Sequence, residues 1–262
     1  MELTGKIALV TGGATGIGFE YCKHLLHYGI QKVCIVDKEQ KKGETALNQI
    51  NHEFGKDRAM FIKADVTKNS DLEAAFETVI SAWKTLDIVI NNAGIMDDLH
   101  WELEIAVNFN AVVQGSLLAF KFMSKSNGGN GGVLVNIASI LGMEIMASIP
   151  VYVGTKHAVV GLSRSLGMPF NYEMSGIRVL TMCPGVTITP LITEAHNLAS
   201  TVDKAAQVRK ELDILPTQNP ADVAKGMMHL IKHGGSGSVW VCEGGEPIYE
   251  VVIPEYPTLR KK

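Results

Sequence analysis

A tyrosine and a lysine four residues apart are the side chains in this sequence best suited to proton transfer. Tyr152 and Lys156 stand in the run Tyr-Val-Gly-Thr-Lys, and residues i and i+4 share one face of a helix. An ammonium group beside a phenol favours the phenolate and lowers its pKa from about 10. Such a phenol is suited to act as a general base that removes the proton of an alcohol while hydride leaves the carbon.

The spacing alone is not specific, because Tyr28 and Lys32 have it too. That second pair is predicted to cross a helix end at Gly29, so its side chains need not share a face. Tyr152 differs in its context, since Ser139 lies upstream, directly after an apolar strand candidate. The carboxyl ends of such strands are where open α/β sheets bind ligands. Ser139 could hydrogen-bond the substrate oxygen, although a turn or helix-cap role is the default for a single serine.

A glycine-rich run, Thr11-Gly-Gly-Ala-Thr-Gly-Ile-Gly18, follows the first strand candidate and opens the first helix candidate. A dinucleotide pyrophosphate needs free N–H groups at a helix N-terminus and close approach of the backbone. Glycine allows both, because it has no Cβ. The run predicts a dinucleotide site formed by Gly12, Thr15, Gly16, Ile17 and Gly18; the alternative is a tight turn without a ligand.

Asp37 closes the second strand candidate, where an acidic residue would bind the ribose 2′-hydroxyl of NAD. A carboxylate there repels the 2′-phosphate of NADP. Lys38 follows immediately and could soften that preference, but the glycine run holds no basic residue. The sequence therefore predicts NAD as the cofactor.

The ordered motifs resemble the short-chain dehydrogenase/reductase family over almost the whole chain, from Lys6 to about Cys242. The motifs that carry the resemblance are Thr11–Gly18, Asp65-Val66, Asn91-Asn92-Ala93-Gly94, Asn108, Ser139, Tyr152, Lys156 and Pro184-Gly185. Within the family the chain is most similar to NAD-linked hydroxyprostaglandin dehydrogenases and insect-type alcohol dehydrogenases. Stretches such as His100-Trp-Glu, Pro150-Val-Tyr and Cys183-Pro-Gly carry that narrower likeness.

The resemblance implies a role for each matching residue. Tyr152 would be the acid/base, Lys156 would lower its pKa and bind the nicotinamide ribose, and Ser139 would polarise the substrate oxygen. Asn108 would hold a water that links Lys156 to bulk solvent. The remaining cofactor contacts would come from Asp65, Val66, Asn92, Ala93, Gly94, Pro184, Gly185, Thr187 and Thr189.

Strand and helix candidates alternate along the chain, which predicts one doubly wound, Rossmann-type α/β domain over residues 1–262 with helices on both faces. About seven parallel strands are predicted, at Ile7–Val10, Val33–Val36, Ala59–Ile62, Ile88–Ile90, Val133–Ile137, Val179–Met182 and Ser238–Cys242. Their continuous apolar character is typical of strands that are buried on both faces. Helices are expected at Gly18–Tyr28, Ser70–Trp83, Leu103–Met123 and Tyr152–Met174.

The composition argues against other classes of protein. A net charge of −3 gives no basic surface for nucleic acid, and the apolar run at the start is too short for a bilayer span. No signal peptide is indicated. The cysteines, Cys22, Cys34, Cys183 and Cys242, are scattered and are expected to be buried and reduced. A cytoplasmic enzyme fits these features.

The segment between Ser139 and Tyr152 is rich in methionine and isoleucine and should wall an apolar substrate pocket. Met96, Met143, Met146 and Ile149 are the predicted substrate contacts; the alternative is that these side chains fill the core. Prostaglandin-oxidising relatives carry a polar amide where this chain has Ile149. That difference favours a uniformly apolar alcohol over a prostaglandin.

Three further features are left with two interpretations each. Residues 187–214 lack a strand candidate and could form a substrate lid or an ordinary surface helix pair. The C-terminal tail, 247–262, looks extended and could cover a partner subunit or the pocket mouth, or fray. His229 and His233 have the spacing of a metal pair but lack a third ligand, so capping of a helix C-terminus is favoured and no metal is predicted.

The leading hypothesis is NAD-dependent oxidation of a small lipophilic, secondary alcohol to its ketone. The rivals are an NADP-linked carbonyl reductase and a dinucleotide-binding protein without useful catalysis. The helices that carry Asn108 and Tyr152 pair between subunits in many relatives, so a homodimer or homotetramer is expected.

Overall fold

The computed structural model describes residues 1–193 and 202–259. Its strands are β1 (Ile7–Thr11), β2 (Lys32–Asp37), β3 (Ala59–Lys63), β4 (Ile88–Asn91), β5 (Gly132–Ile137), β6 (Ile177–Pro184), β7 (Val186–Thr187), β8 (Thr217–Gln218), β9 (Val239–Cys242) and β10 (Tyr249–Glu250). Eight of them form one sheet in the order β3-β2-β1-β4-β5-β6-β9-β10. Seven run parallel, and β10 pairs antiparallel with β9. The doubly wound sheet is confirmed, with one edge strand more than predicted.

Helices cover both faces of the sheet, as predicted. They are α1 (Gly16–His27), α2 (Gln40–Phe54), α3 (Asn69–Trp83), α4 (Trp101–Ile105), α5 (Ala111–Met123), α6 (Pro150–Leu166), α7 (Pro169–Ser175), α8 (Pro190–Thr193), α9 (Val202–Asp213) and α10 (Pro220–His233). Alternate residues of β1 face opposite sides. Ala8 and Val10 pack with the buried side chains of α1 and α10, whereas Leu9 packs with those of α3 and α5. The sheet is therefore buried between two apolar layers.

The single helix expected over Tyr152–Met174 is in fact two. The helix α6 ends at Leu166, and α7 begins at Pro169. Proline has no N–H to donate, and its ring disfavours helical backbone in the residue before it. The predicted helix end near Tyr28 is confirmed: α1 stops at His27, and Gly29 has a φ of +91°.

A continuous helical rod runs from α4 to α5 through a π-helical turn, Ala106–Asn110. By length and composition alone, Asp98–Met123 could cross a bilayer, but half of its most apolar stretch is buried inside the protein. It packs on β4 and β5, as a core helix does. Such π turns often occur at functional sites.

One prediction about the later part of the chain needs correction. The segment 187–214 is not free of strands, because Thr187 belongs to β7, which pairs in parallel with β8 in a separate two-stranded sheet. The tail, expected to be extended, contributes β10 to the main sheet and later forms a 3-10 turn at Tyr256–Leu259. The central part of the expected lid, 194–201, and the last three residues of the tail lie outside the described residues.

Candidate active site

One cleft of about 520 Å³ lies at the carboxyl edge of the sheet. It is lined by every residue that was predicted to contact the cofactor: Gly12, Thr15, Gly16, Ile17, Gly18, Asp37, Asp65, Val66, Asn92, Ala93, Gly94, Tyr152, Lys156, Pro184, Gly185, Thr187 and Thr189. Ser139 and Met96 line it as well. Motifs scattered over most of the sequence therefore meet in one place, because parallel strands end on the same side.

The glycine turn between β1 and α1 has the backbone that a phosphate requires. Gly12 and Gly16 have φ values of +62° and +56°, which L side chains rarely adopt. A Cβ on Gly18 would lie 2.2 Å from the carbonyl oxygen of Gly12. The turn therefore closes only with glycine, and it leaves the first N–H groups of α1 facing the cleft. These residues fit a dinucleotide pyrophosphate.

Asp37 stands at the end of β2 and is fixed by the backbone. Its Oδ2 accepts a hydrogen bond from Ala14 N–H (3.2 Å) and its Oδ1 accepts one from Glu39 N–H (3.1 Å). The first bond ties the carboxylate to the glycine turn. Lys38 and Lys42 line the same part of the cleft, so an acidic group and two basic groups surround the expected ribose position.

Two other predicted cofactor contacts are held by local hydrogen bonds. Asn92 donates from Nδ2 to the carbonyl oxygens of Thr11 (2.9 Å) and Gly12 (3.2 Å), which joins the end of β4 to the glycine turn. Burial opposes ionisation of Asp65, but hydrogen bonds from the hydroxyl and N–H of Thr67 outweigh it and lower its pKa. Asp65 is therefore a fixed anion beside the cleft.

Tyr152 and Ser139 face each other at the opposite end of the cleft. Tyr152 lies in the first turn of α6 and is buried. Burial raises its pKa, although a hydrogen bond from Ser139 acts in the other direction. Ser139 also accepts a hydrogen bond from Leu141 N–H (3.1 Å), so it caps a short turn as well as facing the tyrosine. Burial therefore makes the phenol hold its proton more tightly than free tyrosine does.

Lys156 lies one turn further along α6 with 4% of its surface exposed. Its Nζ donates to the carbonyl oxygen of Ile137 (3.1 Å) and lies 5.5 Å from the centre of the Tyr152 ring. Burial lowers its pKa to about 8. The predicted shared face is confirmed. Burial is the largest influence on the pKa of Tyr152, and the lowering expected from Lys156 stays a prediction.

Asn108 does not line the cleft. It is fully buried in the π-helical turn, and its side chain is engaged on both sides: Nδ2 donates to Ile95 O (2.8 Å), and Oδ1 accepts from Ile95 N–H (2.9 Å). Nδ2 also lies 3.3 Å from the Thr155 hydroxyl. The amide thus fixes the segment after β4 against α6, and its role in holding a relay water stays a prediction.

The comparisons with known proteins agree with this geometry. Residues 6–215 match the family model described as short chain dehydrogenase. The chain belongs to this family. The short chain dehydrogenase described here is 34% identical to rat (Rattus norvegicus) 15-hydroxyprostaglandin dehydrogenase [NAD(+)], over all of this chain and 99% of that one. It is 35% identical to alcohol dehydrogenase 1 of Ceratitis capitata, over 94% of both chains.

The solved structures include 3-ketoacyl-(acyl-carrier-protein) reductase from Brucella melitensis complexed with NADH. It aligns with a TM-score of 0.77 at 26% identity and covers 93% of this chain and 98% of its own. The resemblance expected from the motifs is confirmed, including both groups of relatives. The short chain dehydrogenase is accordingly an oxidoreductase.

Three of the predicted substrate contacts are not on the cleft surface of this dehydrogenase. Met146 and Ile149 are buried in an apolar cluster behind Tyr152, together with Val208 of α9. Met143 packs in a different cluster, beside Val159 and Val160 of α6. The alternative interpretation, that these side chains fill the core, describes them better. The segment directly after Ser139 is a short 3-10 turn, Ile140–Gly142, and not an extended wall.

Two residues of the segment that was expected to wall the pocket, Ile140 and Leu141, do line the cleft. Further apolar lining comes from side chains that the sequence did not single out, namely Leu103, Val107, Leu191, Ile192, Leu212 and Leu215. Leu103 and Val107 precede Asn108 at helical spacing, which is a signal that could have been used. Leu191, Ile192 and Leu212 belong to the expected lid and Leu215 follows it directly, so the described parts of that segment border the cleft.

Proposed function

We propose that this enzyme oxidises an uncharged, lipophilic secondary alcohol to its ketone with NAD. The observation that carries the proposal is the convergence of Ser139, Tyr152 and Lys156 at one end of a cleft whose other end is the glycine turn and Asp37. The end with Ser139, Tyr152 and Lys156 is suited to proton transfer, and the end with the glycine turn is suited to binding a dinucleotide. An apolar space lies between Tyr152 and α9.

NAD is the cofactor, and when bound it supplies the acceptor for a hydride. The N–H groups at the start of α1 would bind its pyrophosphate, and Asp37 would accept hydrogen bonds from the adenosine ribose. Lys38 and Lys42 line the cleft beside Asp37, which is the observation that favours an NADP-linked reductase as the second candidate. We favour NAD over NADP because the Asp37 carboxylate is held beside the glycine turn, where it would repel a 2′-phosphate.

In the proposed reaction Tyr152 accepts the proton of the alcohol, and Ser139 holds the same oxygen by a hydrogen bond. The buried Lys156 ammonium has its Nζ 5.5 Å from the centre of the Tyr152 ring. Its positive charge favours the phenolate form of Tyr152. Placing these groups on the rigid start of α6 and at the end of β5 fixes the oxygen before the reaction begins.

The chemistry of the wall supports an uncharged substrate. Among the described residues that line the cleft, the charged side chains other than Lys156 belong to the adenosine half: Asp37, Lys38, Glu39, Lys42 and Asp65. The substrate half is lined by leucine, isoleucine, valine and methionine. A carboxylate there would lose its hydration without gaining a partner, which is costly.

Replacement of the proposed base tests the mechanism. Tyr152→Phe should lower kcat for a long-chain secondary alcohol by about 10²–10⁴-fold, while the Kd for NAD, measured by calorimetry, stays within about twofold. The exposed Tyr172→Phe is the matched control. Full turnover by Tyr152→Phe would refute the mechanism. Equal kcat/KM for the alcohol and its terminal-carboxylate analogue would refute the substrate class.

A further inference from the structure

Glu104, in α4, is a buried carboxyl group that the proposed reaction does not use. It has no exposed surface, and α4 packs directly against α6. One oxygen, Oε1, accepts a hydrogen bond from the N–H of Asp97 at 2.7 Å. The other, Oε2, is buried and accepts no hydrogen bond from any described residue. A carboxylate oxygen left in that state costs much free energy.

The group beside Glu104 is the carboxyl of Asp98, near enough that the two would share a hydrogen bond if one of them carried a proton. Asp98 in turn holds the start of the helix that carries Tyr152. Its Oδ2 accepts from the N–H of Val151 (3.0 Å) and its Oδ1 from the N–H of Tyr152 (3.1 Å). The helix α6 has no acidic residue in its own first turn, and Ile149 offers no capping side chain. Asp98 therefore caps α6 from a different element.

Two carboxyl groups in contact cannot both be ionised without strong repulsion, and a proton between them turns the contact into a hydrogen bond. Asp98 is the better anion, because two N–H groups and the N-terminus of α6 stabilise its charge. Glu104, fully buried and short of a donor, is the better acid. We propose that Glu104 is a positioning residue that keeps a proton and donates a hydrogen bond to the Asp98 carboxylate, which fixes Asp98 on α6 and Tyr152 in the site.

The surroundings of Glu104 support this assignment. Burial, together with the neighbouring Asp98 and Asp97, raises the pKa of Glu104 to about 8. Asp97 is itself partnered by the half-exposed His100, whose Nδ1 lies 2.9 Å from Oδ2. Tyr152 and Lys156 of α6 also interact electrostatically with Glu104, and a negative charge on Glu104 raises the pKa of both.

Ionisation of Glu104 near pH 8 would then place two carboxylates in contact and release Asp98 from α6. It would also make the phenolate of Tyr152 harder to form. If the proposed function holds, ionisation of Glu104 should lower kcat for alcohol oxidation above pH 8. In Glu104→Gln, which keeps a donor toward Asp98, the ratio of variant to wild-type kcat should rise about threefold or more from pH 7 to about pH 9.

The exposed Glu102→Gln, two residues away, is the matched control and should follow the wild-type pH profile. KM for NAD should not change in either variant. An identical pH profile for Glu104→Gln and the wild type would overturn the positioning role. Because this comparison needs turnover, a second measurement without substrate separates its failure from failure of the proposed function.

That measurement is infrared spectroscopy of the carboxylic-acid C=O stretch in the free protein. The wild type should show a band that persists at pH 7, disappears on titration through about 8, and is absent in Glu104→Gln. In Asp98→Asn the same band should titrate at lower pH, because the like charge is gone. Absence of the band at pH 7 overturns the proposal even if Glu104→Gln does not fold.

Discussion

Lys156 shows the cost of placing a charge where the chemistry needs it. Its ammonium is buried, its Nζ donates to a single carbonyl oxygen, and its pKa is lowered to about 8. The folded state therefore binds this proton less tightly than the unfolded chain does. Below pH 8 both states carry the proton and the penalty is complete; it is relieved as pH rises toward 10.5, the ordinary value.

Removing this charge should stabilise the protein while abolishing turnover. We expect Lys156→Met to raise the free energy of unfolding at pH 7 by about 1–3 kcal/mol, measured by urea denaturation. The gain should shrink as pH rises from 8 to about 10, because the wild-type lysine then becomes neutral. The exposed Lys41→Met controls for loss of a positive charge. A Lys156→Met protein less stable than the wild type would contradict this account.

Asp37 is the second residue with a measurable consequence. Replacing it by alanine removes the charge that would repel a 2′-phosphate and leaves Lys38 and Lys42 in the cleft. The ratio of kcat/KM for NAD to that for NADP should fall by at least about tenfold in Asp37→Ala. Steady-state kinetics with both cofactors check this, with the exposed Glu44→Ala as the control. An unchanged ratio would show that the selectivity resides elsewhere.

At the scale of elements, α9 is joined to the segment before α6 by hydrogen bonds from the N–H and hydroxyl of Ser148 to Glu211. The hydroxyl of Ser148, which is buried, donates to Oε2 of Glu211, and Gln207 donates to Oε1 (2.9 Å). Burial opposes ionisation of Glu211, but these bonds outweigh it and lower its pKa. Val208, Leu212 and Leu215 complete the junction by packing on the apolar cluster behind Tyr152. The pair acts as a latch between α9 and the substrate end of the cleft.

Opening this latch should weaken substrate binding and spare the cofactor. In Glu211→Ala, KM for a lipophilic alcohol should rise about threefold to tenfold, as expected for loss of a typical hydrogen bond, which contributes about 0.5–1.5 kcal/mol. The Kd for NAD should stay the same. The adjacent exposed Lys210→Ala is the control, and Ser148→Ala should not add to the effect of Glu211→Ala. Additive effects of the two changes would argue against a shared contact.

Some helices and strands could be predicted from the sequence, and others could not. The parallel strands could be predicted because they are buried on both faces and therefore apolar throughout. The π turn at Asn108 could not, since its cause is a tertiary contact with Ile95. Met143 and Ile149 were assigned to the pocket from the composition of their segment and its place between Ser139 and Tyr152, and neither says which way each side chain points. The positioning role of Glu104 could not be predicted from the sequence, because it depends on the tertiary contacts of Asp98 with α6.

At the scale of the whole molecule, α5 and α6 leave a face that suits a second copy of this chain. Gly154 and Gly161 lie seven residues apart on the exposed side of α6, and a Cβ on either would meet open space. Leu117 of α5 is 55% exposed. Small residues on one helix allow close approach of another, and the leucine supplies apolar surface to bury. These features support a two-fold arrangement in which each subunit presents the same face.

A bulky charge on this face should therefore separate the subunits. Light scattering of the wild type should give about twice the chain mass of 28.4 kDa, or about four times if a second interface forms a tetramer, and Gly161→Arg should reduce it to one or two chains respectively. The matched control is Gly235→Arg, an exposed glycine with equally open surroundings on a different part of the surface. Because Ser139, Tyr152 and Lys156 of one cleft all come from one chain, the separated subunits should retain NAD binding. A monomeric wild type, or a Gly161→Arg variant of undiminished mass, would place the contact elsewhere or exclude it.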